Sequence, residues 1–115
     1  MKHIRTTIAR NAMFKPLLAS RNVQAATMTL RPGQTSGEFR DEHPRAEQWL
    51  FVIAGSGVAI GKSSRIAIRE GSLLLIEKRE PHQIKNTGRN NLVTLNFYAP
   101  PAYTSDGEVR ESVSR

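Results

Sequence analysis

The feature that most constrains this chain is a succession of short apolar runs, each closed by a turn. Pro32-Gly33 closes the run from Val23 to Leu30, and Gly55-Ser56-Gly57 closes Trp49 to Ile53. Gly61 to Ser64 separates Val58–Ile60 from Ile66–Ile68, and Glu70-Gly71 precedes Ser72 to Ile76. Thr87 to Asn91 separates His82–Asn86 from Leu92–Tyr98. The runs are too short for packed helices, and no window between residues 22 and 98 keeps a helical period over ten residues. They are rich in branched and aromatic side chains, as in WLFVI, SLLLI and LVTLNFY. Short strands at close spacing with Gly and Asn turns predict an all-β sandwich or barrel.

The 115 residues suffice for one core and not for two. The expected organisation is an N-terminal lead-in over 1–21, a barrel over 22–103 and a flexible polar tail over 104–115. Residues 7–19 read either as a short helix or as a lead-in strand, and Pro16 argues against a long helix there. No repeat or low-complexity segment is present.

Composition excludes several functions. With no cysteine there is no disulfide, zinc–thiolate site or thiol nucleophile, which fits a reducing compartment. The N-terminus lacks a continuous apolar h-region and no run is long enough to span a bilayer, so a cytoplasmic protein without membrane contact is expected. The net charge of +7 raises the question of nucleic acid. Its basic residues are scattered, however, and no aromatic side chains alternate with them as a single-strand platform requires. A nucleic-acid partner is not expected.

Chemistry concentrates at two places. In Asp41-Glu42-His43-Pro44-Arg45-Ala46-Glu47-Gln48, a strand would put Asp41 and His43 on one face. After a bend at Pro44, Gln48 opens the next strand beside them. In Glu80-Pro81-His82-Gln83-Ile84-Lys85-Asn86, His82 opens another strand. Two imidazoles, a carboxylate and an amide oxygen brought together suit a divalent first-row transition metal: Fe, Mn, Ni, Co or Zn. Each residue also has an ordinary reading: a surface histidine, an Asp41 paired with Arg40 or Arg45, and an Asn86 that shapes the turn at Thr87-Gly88. Only His3 stands apart, at the solvated terminus.

These two segments resemble the two motifs of the cupin superfamily. The first motif runs from a glycine through His-x-His to a glutamate and a closing glycine. Here His43 matches the second histidine, Gln48 stands at the glutamate and Gly55 closes the motif. The second motif runs from a glycine through Pro-x-Gly to a histidine and an asparagine, matched by Gly71, His82 and Asn86. The string His43-Pro44-Arg45-Ala46 is similar to that of germins, and Leu95 to Tyr103 resembles the ending of small stand-alone bacterial cupins. Four positions depart from the pattern. Asp41 takes the first histidine's place, Gln48 the glutamate's, and Glu77 and Arg79 those of the proline and glycine.

The resemblance implies a single cupin barrel (a double-stranded β-helix, or jelly roll) with one pocket at a mouth, and a homodimer. It implies a metal held by Asp41, His43, Gln48 and His82, whose summed formal charge equals that of the usual set of three imidazoles and a carboxylate. Without Gln48, the other three make the two-histidine, one-carboxylate set of non-haem iron oxygenases. The function expected is a metal-dependent enzyme of dioxygenase, lyase or isomerase type acting on a small organic molecule. The alternative is a non-catalytic module that binds a small molecule or sugar without a tightly held metal, since fold does not fix chemistry. Gln24, Met28, Trp49, Phe51, Phe97 and Tyr98 are expected to line the core or barrel, with Tyr98 and Glu47 as candidate acid or base groups. Glu77 and Arg79 are expected to form a surface pair.

Overall fold

A computed structural model of the chain describes residues 1–6, 13–37, 39, 44–105 and 107. Its eight strands are β1 (Phe14–Ala19), β2 (Gln24–Leu30), β3 (Glu47–Ala54), β4 (Ser56–Ile60), β5 (Arg65–Arg69), β6 (Leu73–Ile76), β7 (Gln83–Asn86) and β8 (Leu92–Ala99). They form two antiparallel sheets, of order β1-β2-β8-β3-β6 and β5-β4-β7. No helix occurs among the described residues, so none there could cross a membrane. Residues 14–19 are the strand of the two readings, paired with β2 at an edge of the larger sheet. Their register breaks between Pro16 and Ala19.

Side-chain alternation sets the core. Met28 and Leu30 of β2, Leu50 and Val52 of β3 and Leu92 of β8 point inward. From the smaller sheet, Ala59, Ile68 and Ile84 meet them. A fully buried Leu or Ile contributes about 2 kcal/mol relative to exposure. The opposite parity puts Trp49, Phe51 and Ile53 of β3, Leu73 and Leu75 of β6 and Phe97 of β8 on the outer face of the larger sheet. Trp49, Phe51 and Phe97 therefore do not line the barrel. The period-2 rule explains this: Gln48, Leu50 and Tyr98 face inward, so their chain neighbours cannot.

The chain crosses between sheets at corners, and three of the four corners hold a residue with positive φ. A single residue, Gly55, joins β3 to β4 with φ 90°. Gly71 lies between β5 and β6 with φ 90°, and Arg79 between β6 and β7 with φ 63°. All three are motif glycine positions, so the turn that the glycines serve persists where arginine has replaced one. A side chain held in this left-handed region costs on the order of 1–3 kcal/mol.

The β2–β3 connection runs along the outer side of β7. The Gly33 N–H donates to the Asn86 carbonyl (2.9 Å), the Asn86 N–H to the Gln34 carbonyl (3.0 Å) and the Ser36 N–H to the Ile84 carbonyl (2.8 Å). Asn86 is fully buried. Its side-chain amide donates to the Leu30 and Asn90 carbonyls, each at 2.8 Å, and its Oδ1 accepts the Gly88 N–H at 2.8 Å. The structural role read from the Thr87-Gly88 turn is what these bonds perform, and they also fasten the end of β2.

Candidate functional site

Gln48 and His82, far apart in sequence, line one cavity of about 250 Å³. Gln48 is at the start of β3, opposite Tyr98 of β8 and Ile76 of β6, and it is buried. His82 directly precedes β7 and is half-buried. Its Nδ1 lies 2.8 Å from the Glu80 carbonyl oxygen. A carbonyl only accepts, so Nδ1 carries the proton and, in the neutral ring, Nε2 carries the lone pair. A backbone carbonyl on the second ring nitrogen is the usual way a ligating histidine is oriented.

The rest of the wall comes from both ends of the chain. Met13 and Phe14, Met28 and Tyr98, and Tyr103 and Gly107 complete it, with Ser36 and Ile84 from the β7 side. Phe14, Tyr98 and Tyr103 pack as an aromatic group, with ring centroids 4.6 Å apart for Phe14–Tyr103 and 4.9 Å for Tyr98–Tyr103. Gln24 fixes Tyr103 in place. Its Nε2 donates to the Tyr103 carbonyl at 2.9 Å, and its Oε1 accepts the N–H groups of Ala102 and Tyr103. Phe14, Ser36 and Tyr103 were not legible as pocket residues, because they come from an irregular loop and from the chain ends. Beyond Gln48 and Tyr98, Asn96 and Thr94 of β8 also face inward. Their side-chain polar atoms make no hydrogen bond among the described residues, so the interior behind Gln48 is polar.

Asp41 and His43 lie outside the described residues. Among the described residues no three His, Cys, Asp or Glu side chains gather. Among the described residues, the cavity thus offers the His82 imidazole and the Gln48 carboxamide, beside the hydroxyls of Ser36, Tyr98 and Tyr103. Glu47 is not among them: it takes the Trp49 indole N–H at 2.8 Å, on the outer face. Tyr98 does line the cavity.

The loop before His82 differs from expectation. Among the described residues Glu77 and Arg79 form no ion pair. The Glu77 N–H instead donates to the Glu80 carboxylate at 2.9 Å. Arg79 joins Lys78, Arg45 and Pro44 around an open hollow of about 500 Å³.

Comparison with known proteins bears on the fold and the family. A search among curated protein sequences found no match. Among solved structures, a protein of Bacillus halodurans is 27% identical, with a TM-score of 0.77 over 89% of this chain and 80% of that one. A predicted oxalate decarboxylase of Thermotoga maritima is 24% identical, with a TM-score of 0.67 over 76% of this chain and 79% of that one. A sugar phosphate isomerase from the cupin superfamily of Silicibacter pomeroyi is 18% identical, with a TM-score of 0.63 over 74% of this chain and 57% of that one. Residues 26–98, from the first inward residues of β2 to Tyr98 on the cavity wall, match the cupin domain family. With its two sheets, its corner positions and this match over most of its length, the chain belongs to the cupin family.

Proposed function

We propose that the protein is a metal-binding cupin that acts on a small organic molecule within the 250 Å³ cavity. The observation that carries the reading is the meeting of Gln48 and His82 on one cavity wall, with the His82 ring oriented through Nδ1. Asp41, His43 and His82 would hold the ion and Gln48 would complete or orient the set. Nitrogen and oxygen donors without thiolate fit a divalent first-row metal such as Fe, Mn, Ni, Co or Zn. Such a metal, when bound, supplies a Lewis acid for lyase or isomerase chemistry or a redox centre for dioxygenation. The chain's own part is to exclude water with Phe14, Tyr98 and Tyr103 and to present the Tyr98 side chain at the cavity wall. The cysteine-free composition suits the cytoplasmic setting we assign.

Elemental analysis of protein purified without chelator tests this reading. Wild type should carry a stoichiometric metal. His82→Ala should weaken metal affinity by about 100-fold or more while keeping the far-ultraviolet spectrum of the folded chain. Gln48→Glu, which restores a carboxylate, should tighten it. Equal binding by wild type and the His43→Ala/His82→Ala variant would end the proposal. The amide at Gln48 favours the second reading, a binder of a small molecule or sugar that needs no metal, and that outcome would support it.

We further propose a homodimer through the outer face of the larger sheet. Trp49 pairs across the strands with Leu75 and Phe97, and Phe51 with Leu73 and Leu95. Trp49, Phe51, Ile53, Leu73, Leu75 and Phe97 are each 37–63% exposed on this one face, a contiguous apolar surface of the kind that marks an interaction site. A second copy of the same face is apolar where this one is, which a two-fold axis requires. Sedimentation should give a dimer for wild type and a monomer for Phe51→Glu/Leu75→Glu. A wild type that stays monomeric at micromolar concentration would remove the claim.

A further inference from the structure

We propose that Arg45, Lys78 and Arg79 form a rim that binds the oxyanion, phosphate or carboxylate, of a small ionised molecule. Its role in choosing the substrate rests on the reading of the neighbouring cavity given above.

Antiparallel register brings the three cations together. Gln48 faces Ile76 across β3 and β6, so the chain entering β3 and the chain leaving β6 run on side by side beyond that pair. The first carries Pro44 and Arg45, the second Lys78 and Arg79, and these four surround one hollow. Each strand pathway then delivers a cavity residue three positions later: Gln48 after Arg45, and His82 after Arg79. The hollow and the cavity thus take residues from the same two stretches of chain.

Arg79 supplies a second, independent observation. Among the described residues it is the one non-glycine with positive φ. The equivalent corners are turned by Gly55 and Gly71, which reach the same region of backbone without strain. A long charged side chain kept where glycine would be easier points to work done by the side chain. A guanidinium offers a planar fork that matches two oxygens of a phosphate or carboxylate, and Lys78 adds a point charge beside it. Nearby, Glu80 accepts the Glu77 N–H and Glu47 the Trp49 indole N–H, bonds that orient these carboxylates and leave their charges in place. Glu77 is the remaining carboxylate of the loop, and its charge opposes the anion.

The test is a titration of the full chain with inorganic phosphate, with citrate and with neutral glucose, followed by amide chemical shifts. Wild type should bind one or both anions saturably, with shifts centred on residues 45 and 78–80, and should ignore glucose. The tighter of the two anions identifies the source. Arg79→Gly should move two readouts in opposite directions, weakening anion binding at least fivefold while raising the melting temperature. Lys78→Gln/Arg79→Gln should abolish binding, and Glu77→Gln should tighten it. Arg65→Gln/Arg69→Gln, on the exposed strand β5, should leave it unchanged.

Equal loss in the β5 variant would reduce the effect to net charge and overturn the proposal. So would wild-type shifts spread over the whole surface, or tighter binding of a short oligonucleotide through the same residues. Metal content of each variant separates the two readings. Phosphate binding that depends on Arg79 in a protein that takes no metal supports the rim and removes the metal chemistry. Normal metal uptake with anion binding indifferent to Arg79 removes the rim alone.

Discussion

A Gly55→Ala variant should lose most of its folding stability, on the order of 4 kcal/mol or more, which is at the exceptional end for a single methyl group. Two costs coincide at this corner. The backbone has φ 90°, a conformation that an L side chain adopts only with strain. An added Cβ would also lie 2.4 Å from the Asn91 carbonyl oxygen and 2.8 Å from the Leu92 Cα. Both obstacles are backbone, so neither can swing aside, and the β7–β8 turn would have to move off the β3–β4 corner. Gly71 is the internal control. It shares φ 90° but has nothing within 4 Å of an added Cβ. Gly71→Ala should therefore cost only the strain, about 1–2 kcal/mol. Urea denaturation followed by Trp49 fluorescence measures both. If the two variants are equally destabilised, close approach at Gly55 is not what holds the sheets in place.

Asn86→Ala should cost roughly 3–4 kcal/mol, from three hydrogen bonds at about 1 kcal/mol each and the burden of buried groups left without partners. The Leu30 carbonyl, the Asn90 carbonyl and the Gly88 N–H all lose their partner at once. The effect should be local as well as large. Hydrogen exchange should speed first at the 87–91 turn and at the end of β2, the two segments that the amide joins. A uniform loss of protection, with no excess at these places, would show that Asn86 acts only through its volume.

The strands were legible because apolar runs and turn residues alternate so regularly, and every run read from the sequence holds a strand. The motif glycines were legible as fixed points. Their shared function as corners between sheets became visible only when Arg79 was found in the same backbone region as Gly55 and Gly71. Of the candidate ligands, Gln48 and His82 meet at one cavity, while Asp41 and His43 fall outside the described residues. What the sequence concealed has physical causes. An apolar aromatic run such as WLFVI does not announce which parity is inside, so Trp49 and Phe51 read as lining when they face outward. Glu47 went to the outer face with them. Phe14 and Tyr103 reach the cavity from chain ends whose own patterns are weak. The segment 33–36 is polar and reads as a loop, yet its backbone pairs with β7.

Strand β1 has a consequence for how copies of the chain can associate. It is an outermost strand of the larger sheet, and Pro16 deprives it of one N–H just where its register slips. At the opposite border, β6 is only four residues long. In the smaller sheet, Arg65 and Arg69 bracket β5, while β7 is occupied by 33–36. Among the described residues no border thus offers the long, uncharged row of donors and acceptors on which a further chain could lay itself and be copied in turn. Crowding or partial heating should then yield face-stacked pairs that stop growing, and dye-binding fibrils should be slow to seed from the folded state.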